Sequence, residues 1–244
     1  MALVLAWPLA PADIHLEHGA VHIWSAGLQQ SAAQMVVFWE SLTVAERDRA
    51  DRFHFDRHRR RFIVARGLLR HLLGRYLGLE PHAVRLDFSA YDKPFLPENP
   101  LFFNLSHTGD VGLFAFCLDT AVGVDVEKIK PLDDLDAIAA RFFAPGEYQV
   151  LQSLPLQQQT SAFFRCWTRK EAFIKLIGEG LSYPLDNFEV TLAINEPARF
   201  VSIEGSAVRA AAYHLEHLEL ARGYVGALAV QTGQSNLFFW RWSG

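Results

Sequence analysis

Cysteine and methionine are scarce in this 244-residue chain, two of each. Cys117 and Cys166 have no Cys or His at zinc-ligand spacing, which excludes a zinc finger or ribbon and a disulfide framework. Their apolar neighbours suit small buried hydrophobes. Long apolar runs are missing as well, and nothing approaches the ~20 residues a membrane helix needs. The leading stretch Met1 to Ala10 is apolar but short, has no Lys or Arg before it and meets Pro8 and Pro11, so it makes a poor signal peptide. The expected location is the cytoplasm, with no membrane partner. Positive charge is not in surplus either. A net charge of −4 and a pI near 6.2 argue against a dedicated nucleic-acid binder. The chain has no G-x-x-x-x-G-K-[ST] loop, no G-x-G-x-x-G after a strand and no G-x-S-x-G elbow, so P-loop ATPases, Rossmann enzymes and α/β-hydrolases drop out. Low-complexity tracts and short-period repeats are absent.

Half of the residues are apolar and 13% are aromatic, enough for a substantial core in one large domain or two halves. In Val122-Gly123-Val124-Asp125-Val126-Glu127 the valines alternate with Gly123, Asp125 and Glu127, so a strand here buries its valines on one face and presents two carboxylates on the other. Adjacent acids are costly unless a cation sits between them. In Trp167-Thr168-Arg169-Lys170-Glu171-Ala172-Phe173-Ile174-Lys175, Glu171 and Lys175 share a helical face. The working assignment is a Mg²⁺ site built by Asp125, Glu127 and Glu171.

Elsewhere, Val36 to Leu42 predicts a helix after a polar segment at Gln29 to Gln34, and Thr43 with Glu46 forms a capping-box pattern. Arginines crowd residues 47–75. Phe62, Ala65, Leu69, Leu72, Leu73 and Tyr76 recur at helical spacing there, predicting an amphipathic helix from Arg59 to Leu77 that Gly78 ends. The arginines form either a solvated face or a phosphate grip, most concentrated at Arg57 to Arg61. Val84 to Ser89 predicts a short strand, and Asp92-Lys93-Pro94 a turn with lysine at its tip. Leu101 to Leu105 and Val111 to Leu118 predict a hairpin with Ser106 and His107 at its exposed tip. A helix follows Asp133-Asp134 up to Phe142, and Pro145-Gly146 suggests a mobile corner before Tyr148 to Leu154. Gln157 to Gln159 read as a surface loop, and a helix with Phe163, Trp167, Lys170, Ile174 and Ile177 on one face stops at Gly178. Strands are expected at 187–193, 198–203, 207–214, 223–230 and 236–242, as framework. A weak similarity of order and a break near 118–121 suggest two α+β lobes, residues 1–120 and 121–244.

Three acids for a hard cation, a lysine one turn from one of them, an arginine cluster and a hairpin histidine suit attack on a pyrophosphate. Each alone has an inert alternative: a surface acid pair, an ordinary helix ion pair, an idle loop histidine. Together, Val122-Gly123-Val124-Asp125 with Glu127, then Trp167-Thr168-Arg169-Lys170-Glu171-Ala172 with Lys175, resemble the paired signature of the large, surfactin-synthetase-activating type of 4′-phosphopantetheinyl transferase. Lys93-Pro94, Phe103-Asn104-Leu105-Ser106-His107 and Arg141-Phe142-Phe143 resemble that pattern in the same order. The similarity spans roughly 42–190.

The resemblance implies an α+β monomer of two similar lobes related by a pseudo-twofold axis, with coenzyme A in the cleft between them. It implies Mg²⁺ on Asp125, Glu127, Glu171 and the pyrophosphate, with a water where Val126 replaces a polar residue of some relatives. Lys175, Ser106, His107 and Arg61 fall on phosphate-contacting positions, Lys93 and Pro94 near the adenosine. The acceptor is a serine of an acyl or peptidyl carrier protein, with Glu171 as base and Lys175 steadying the phosphoryl charge. Carrier proteins are acidic, so docking is expected at Phe142 to Leu151, through Phe143 and Tyr148. The competing expectations are a Mg²⁺-dependent nucleotide or coenzyme A pyrophosphohydrolase and a non-catalytic coenzyme A-binding scaffold.

Overall fold

Two strands from opposite ends of the chain lie side by side in the N-terminal sheet of the computed structural model, which describes residues 7–97, 99–233 and 236–243. The leading segment Met1 to Ala10 thus lies outside the described residues as far as residue 6. The elements run β1 (Ala20–Gly27), α1 (Ala32–Ser41), α2 (Val44–Asp51), α3 (Asp56–Leu77), β2 (Asp87–Phe88), β3 (Pro94–Phe95), β4 (Phe102–Thr108), β5 (Val111–Cys117) and β6 (Val122–Lys128). They continue as α4 (Leu135–Phe142), α5 (Pro145–Ser153), α6 (Leu156–Ile177), β7 (Phe188–Val190), β8 (Phe200–Ile203), α7 (Ala207–Ala210), β9 (Tyr213–Leu218), β10 (Tyr224–Gln231) and β11 (Asn236–Arg241). The fold is mixed α+β. A four-stranded sheet has the order β11-β1-β5-β4, in which only the β1–β11 pair is parallel. A three-stranded antiparallel sheet has the order β6-β10-β9. Among the described residues, no helix is long and apolar enough to cross a membrane.

Local chemistry sets most boundaries. Thr43 and Glu46 form the expected capping box of α2, and Gly78 closes α3 in the left-handed region at φ 65. Three helices start earlier than the apolar periodicity suggests. Ser31 caps α1 by accepting from Gln34 N, so the helix begins at Ala32, ahead of Val36. α3 takes in Asp56 to His58. α6 starts just after Pro155, which puts Gln157 to Gln159 in its first turn and not in a surface loop. Pro145-Gly146 is likewise the start of α5 and not a mobile corner, because proline at a first helical position gives up no needed N–H. A Cβ on Gly146 would lie 2.1 Å from Glu189 Oε1, so that turn is close-packed. Residues 207–210 form a helical turn capped by Ser206 where a strand was expected.

The core has one cluster around α3, one around α6 and one between the sheets. Under α6, Lys170 and Glu147 form a fully buried ion pair at 2.8 Å. Lys170 also donates to the carbonyls of Leu185 and Phe188. These bonds satisfy charges that would otherwise be costly to bury. On β6, Val122, Val124 and Val126 pack against Val21, Ile23 and Leu113 of the other sheet, as the alternation requires. The acid-bearing face is covered by α6. A Cβ at Gly123 would lie 2.0 Å from Ala172 O and 2.4 Å from Leu176 N, so only glycine allows this approach.

Candidate active site

Asn104, Ser106 and Thr108 alternate along one face of β4, and that face meets β6 through side chains. Asn104 Oδ1 accepts from Val124 N at 2.9 Å, Ser106 Oγ donates to Asp125 Oδ1 at 2.7 Å, and Thr108 Oγ1 donates to Glu127 Oε2 at 3.2 Å. Asn104 and Thr108 were missed in the sequence, although their i, i+2, i+4 spacing around Ser106 is a readable signal. α6 completes the cluster: Lys175 Nζ lies 2.6 Å from Asp125 Oδ1 and donates to Ser106 Oγ at 2.8 Å.

The hairpin turn is at Gly109-Asp110, so Ser106 and His107 lie within β4 and not at an exposed tip. Ser106 is buried. His107 keeps a solvent-exposed edge. Desolvation by the surrounding walls, and then the charges of Lys175, Arg61 and Arg66, hold its pKa below the usual range. Lys93 is not an exposed lysine on a turn. Its Nζ donates to the carbonyls of Lys175 and Leu176, and burial lowers its pKa to about 8.

Among the described residues, no group of three His, Cys, Asp or Glu side chains is arranged to hold a metal ion. The three expected carboxylates do feel one another. Burial and then Asp125 raise the pKa of both Glu127 and Glu171, and Lys175 partly offsets this in each. Asp125 Oδ2 is buried without a hydrogen-bond donor. This chemistry, hard oxygen donors with excess negative charge and one unsatisfied oxygen, fits a divalent cation such as Mg²⁺.

A cavity of about 340 Å³ opens beside the cluster. Glu171, Ile174 and Lys175 of α6 line it, with Lys93 and Pro94 of the hairpin, Asn104 and Leu105 of β4, and Arg49 and Arg66 from the helices of the arginine-rich segment. Of the expected site residues, Lys93, Pro94, Glu171 and Lys175 line the cavity, and Ser106 and Asp125 are bonded to Lys175.

The arginines separate by their partners. Arg70 is buried on Glu46 and the carbonyls of Pro81 and Val84, and Arg59 pairs with Asp51. Arg61 pairs with Asp110 at 2.9 Å and lines a different cavity with Arg57 and Arg60. Arg66, also buried, has Nε 3.5 Å from Glu46, while its Nη1 lacks a partner. Sequence spacing could not single out Arg49 and Arg66, because the choice depends on which side of the helices the cavity lies.

The expected docking segment needs correction. Phe143 is buried and stacks on Phe163 at 5.2 Å, and Tyr148 Oη donates to Asp136 at 2.9 Å. Only Pro145, Gln149 and Val150 of this segment are exposed, so Phe143 belongs to the core under α6.

Residues 121–229 match the family model of the 4′-phosphopantetheinyl transferase superfamily, and residues 27–118 match that of the 4′-phosphopantetheinyl transferase N-terminal region. The 4′-phosphopantetheinyl transferase HetI of Nostoc is 41% identical over 197 residues, 79% of this chain and 83% of that protein. The 4′-phosphopantetheinyl transferase psf-1 of Bacillus pumilus is 42% identical over 149 residues, 61% of this chain and 63% of its own length. Sfp of Bacillus subtilis is 36% identical over 156 residues, 64% of this chain and 68% of its own length.

Proposed function

Because the chain belongs to the 4′-phosphopantetheinyl transferase superfamily, we propose that it moves 4′-phosphopantetheine from coenzyme A to a serine of an acyl or peptidyl carrier protein, releasing adenosine 3′,5′-bisphosphate. The observation that carries this reading is the cavity wall where Glu171, Lys175, Arg49 and Arg66 converge, with Ser106 and Asp125 bonded to Lys175. Glu171, a carboxylate able to take a proton, shares this wall with Lys175, Arg49 and Arg66, cations able to hold a pyrophosphate.

The serine oxygen attacks the β-phosphorus of coenzyme A, and the bond from that phosphorus to the bridging oxygen breaks. Glu171 takes the serine proton, directly or through a water, and the electron pair leaves on the bisphosphate. Lys175 stabilises charge on the transferred phosphoryl group, and Ser106 with Asp125 hold its ammonium in place. His107 donates to phosphate oxygens from the open edge of β4. Arg49 and Arg66 grip the nucleotide phosphates, with Arg61 further out. Pro94 and the stem of Lys93 border the adenosine. A Mg²⁺ on Asp125, Glu127 and Glu171 would supply charge neutralisation for the pyrophosphate.

We read residues 1–120 and 121–244 as two related lobes about a pseudo-twofold axis, with coenzyme A between them and β11 lent to the first. Both halves run strand, helices, a 22-residue helix ended by glycine, a short strand pair and a hairpin, which supports this. The protein acts as a cytoplasmic monomer, without nucleic acid or membrane. The test is incubation with coenzyme A, Mg²⁺ and an apo carrier protein, followed by mass spectrometry of the carrier. A phosphopantetheine-sized gain is expected. Nucleotide release without that gain would make the protein a pyrophosphohydrolase, and neither product would make it a scaffold.

A further inference from the structure

We propose that Lys93 is a positioning residue: a hairpin of the N-terminal half places its ammonium on the last turn of α6 and so fixes the backbone that carries Lys175. A helix leaves its final carbonyls without in-helix donors. At the end of α6, Gly178 adopts φ 79 and its N–H returns to Ile174 O at 2.9 Å. The next two carbonyls, of Lys175 and Leu176, accept from Lys93 Nζ instead, the second at 3.4 Å. A cation at this end also meets the negative pole of the helix. The first carbonyl belongs to the residue whose side chain reaches Asp125 and Ser106.

The hairpin is built to hold this lysine. Asp92 takes the left-handed conformation, φ 58, just before it. Ser89 N donates to Lys93 O at 2.9 Å, and Lys93 N donates to Ser89 Oγ at 3.2 Å, closing the turn on itself. The chain leaving α6 packs along the hairpin beside Lys93 and Tyr91, and it turns there at Gly178 and Gly180, whose φ of 79 and 59 favour glycine. With its head group on backbone carbonyls, Lys93 contributes its stem to the cavity wall and not its charge. The low pKa that burial gives it agrees with a committed, desolvated head.

The effect on turnover rests on the transferase reading above; the effect on the helix end does not. The experiment is Lys93→Met, read by hydrogen exchange over 175–182 and by steady-state transfer. Exchange should quicken about tenfold, the worth of about one hydrogen bond. The kcat should fall about tenfold while KM for coenzyme A stays within about twofold, and Lys93→Arg should recover part of both. A raised KM with unchanged exchange and kcat would make Lys93 a substrate ligand and overturn the proposal, as would no change in any of the three. If Lys93→Met does not fold, Lys93→Gln is measured in the same way, and the same results support or overturn the proposal. Should the wild type transfer nothing, the function reading fails and the exchange result alone decides the role of Lys93.

Discussion

Lys175 and Asp125 meet at 2.6 Å, the first from the last turn of α6 and the second from the middle of β6, and Ser106 of the N-terminal sheet bonds to both. Three elements that are distant in sequence are thereby fixed at one point. Removing Lys175 would leave a buried carboxylate with Ser106 as its remaining donor. Lys175→Met should therefore cost about 1–3 kcal/mol of stability, and much less when Asp125→Asn is already present. Urea titration of both single variants and the double variant gives the coupling; additive losses would mean that the contact carries no energy.

Glu171 is the acid of the cluster that lines the cavity beside Lys175. General-base catalysis is worth about 10²–10⁴ in rate, so Glu171→Gln should lower kcat by at least about 100-fold. Calorimetric titration with coenzyme A should show affinity within a few-fold of the wild type. Near-normal turnover would rule out Glu171 as the base.

Gly123→Ala pushes a methyl group into the backbone of α6 at Ala172 and Leu176. Backbone cannot rotate away as a side chain does, so the helix must lift. The expected loss is about 2 kcal/mol or more, a drop in Tm of about 5 °C for a chain of this size. Calorimetry checks it, and transfer activity should fall further than stability because Glu171 and Lys175 move with the helix.

Arg66→Met and Arg61→Met distinguish the cavity wall from its surroundings. Charge-assisted bonds to phosphate are worth about 1.5–3 kcal/mol, so Arg66→Met should raise KM for coenzyme A about tenfold or more. Arg61 already has Asp110 as its partner, so its replacement should change KM less than about threefold. The reverse order would move the phosphate grip to the other cavity.

His22 gives the protein a dependence on pH. Trp24 Nε1 donates to Tyr76 Oη at 2.8 Å, and His22 Nδ1 lies 2.9 Å from the same hydroxyl. Burial disfavours the imidazolium and lowers the His22 pKa from 6.5 to about 4. Above pH 6.5 the folded and unfolded states both hold it neutral. Between 6.5 and about 4 only the unfolded state binds the proton, so stability falls as the pH falls, by about 3 kcal/mol at most. Denaturant unfolding at pH 7 and pH 5 should show this slope, and His22→Gln should flatten it.

The sequence alone determined the elements whose signals are local. The valine alternation of β6, the capping box at Thr43 and the glycine ends of α3 and α6 depend on near neighbours in the chain, and so does the spacing of Glu171 and Lys175. The paired motifs around Asp125 and Glu171 also carried the family. Helix starts were less legible, because they are set by the Ser31 cap and by Pro145 and Pro155 at the starts of α5 and α6, residues that lie outside the apolar periodicity. What only the tertiary structure decided was which groups meet: Arg49 and Arg66 on the cavity wall, Lys93 on carbonyls of α6, Phe143 in the core. Each depends on how sheets and helices pack across long stretches of chain, and residue spacing holds no record of that.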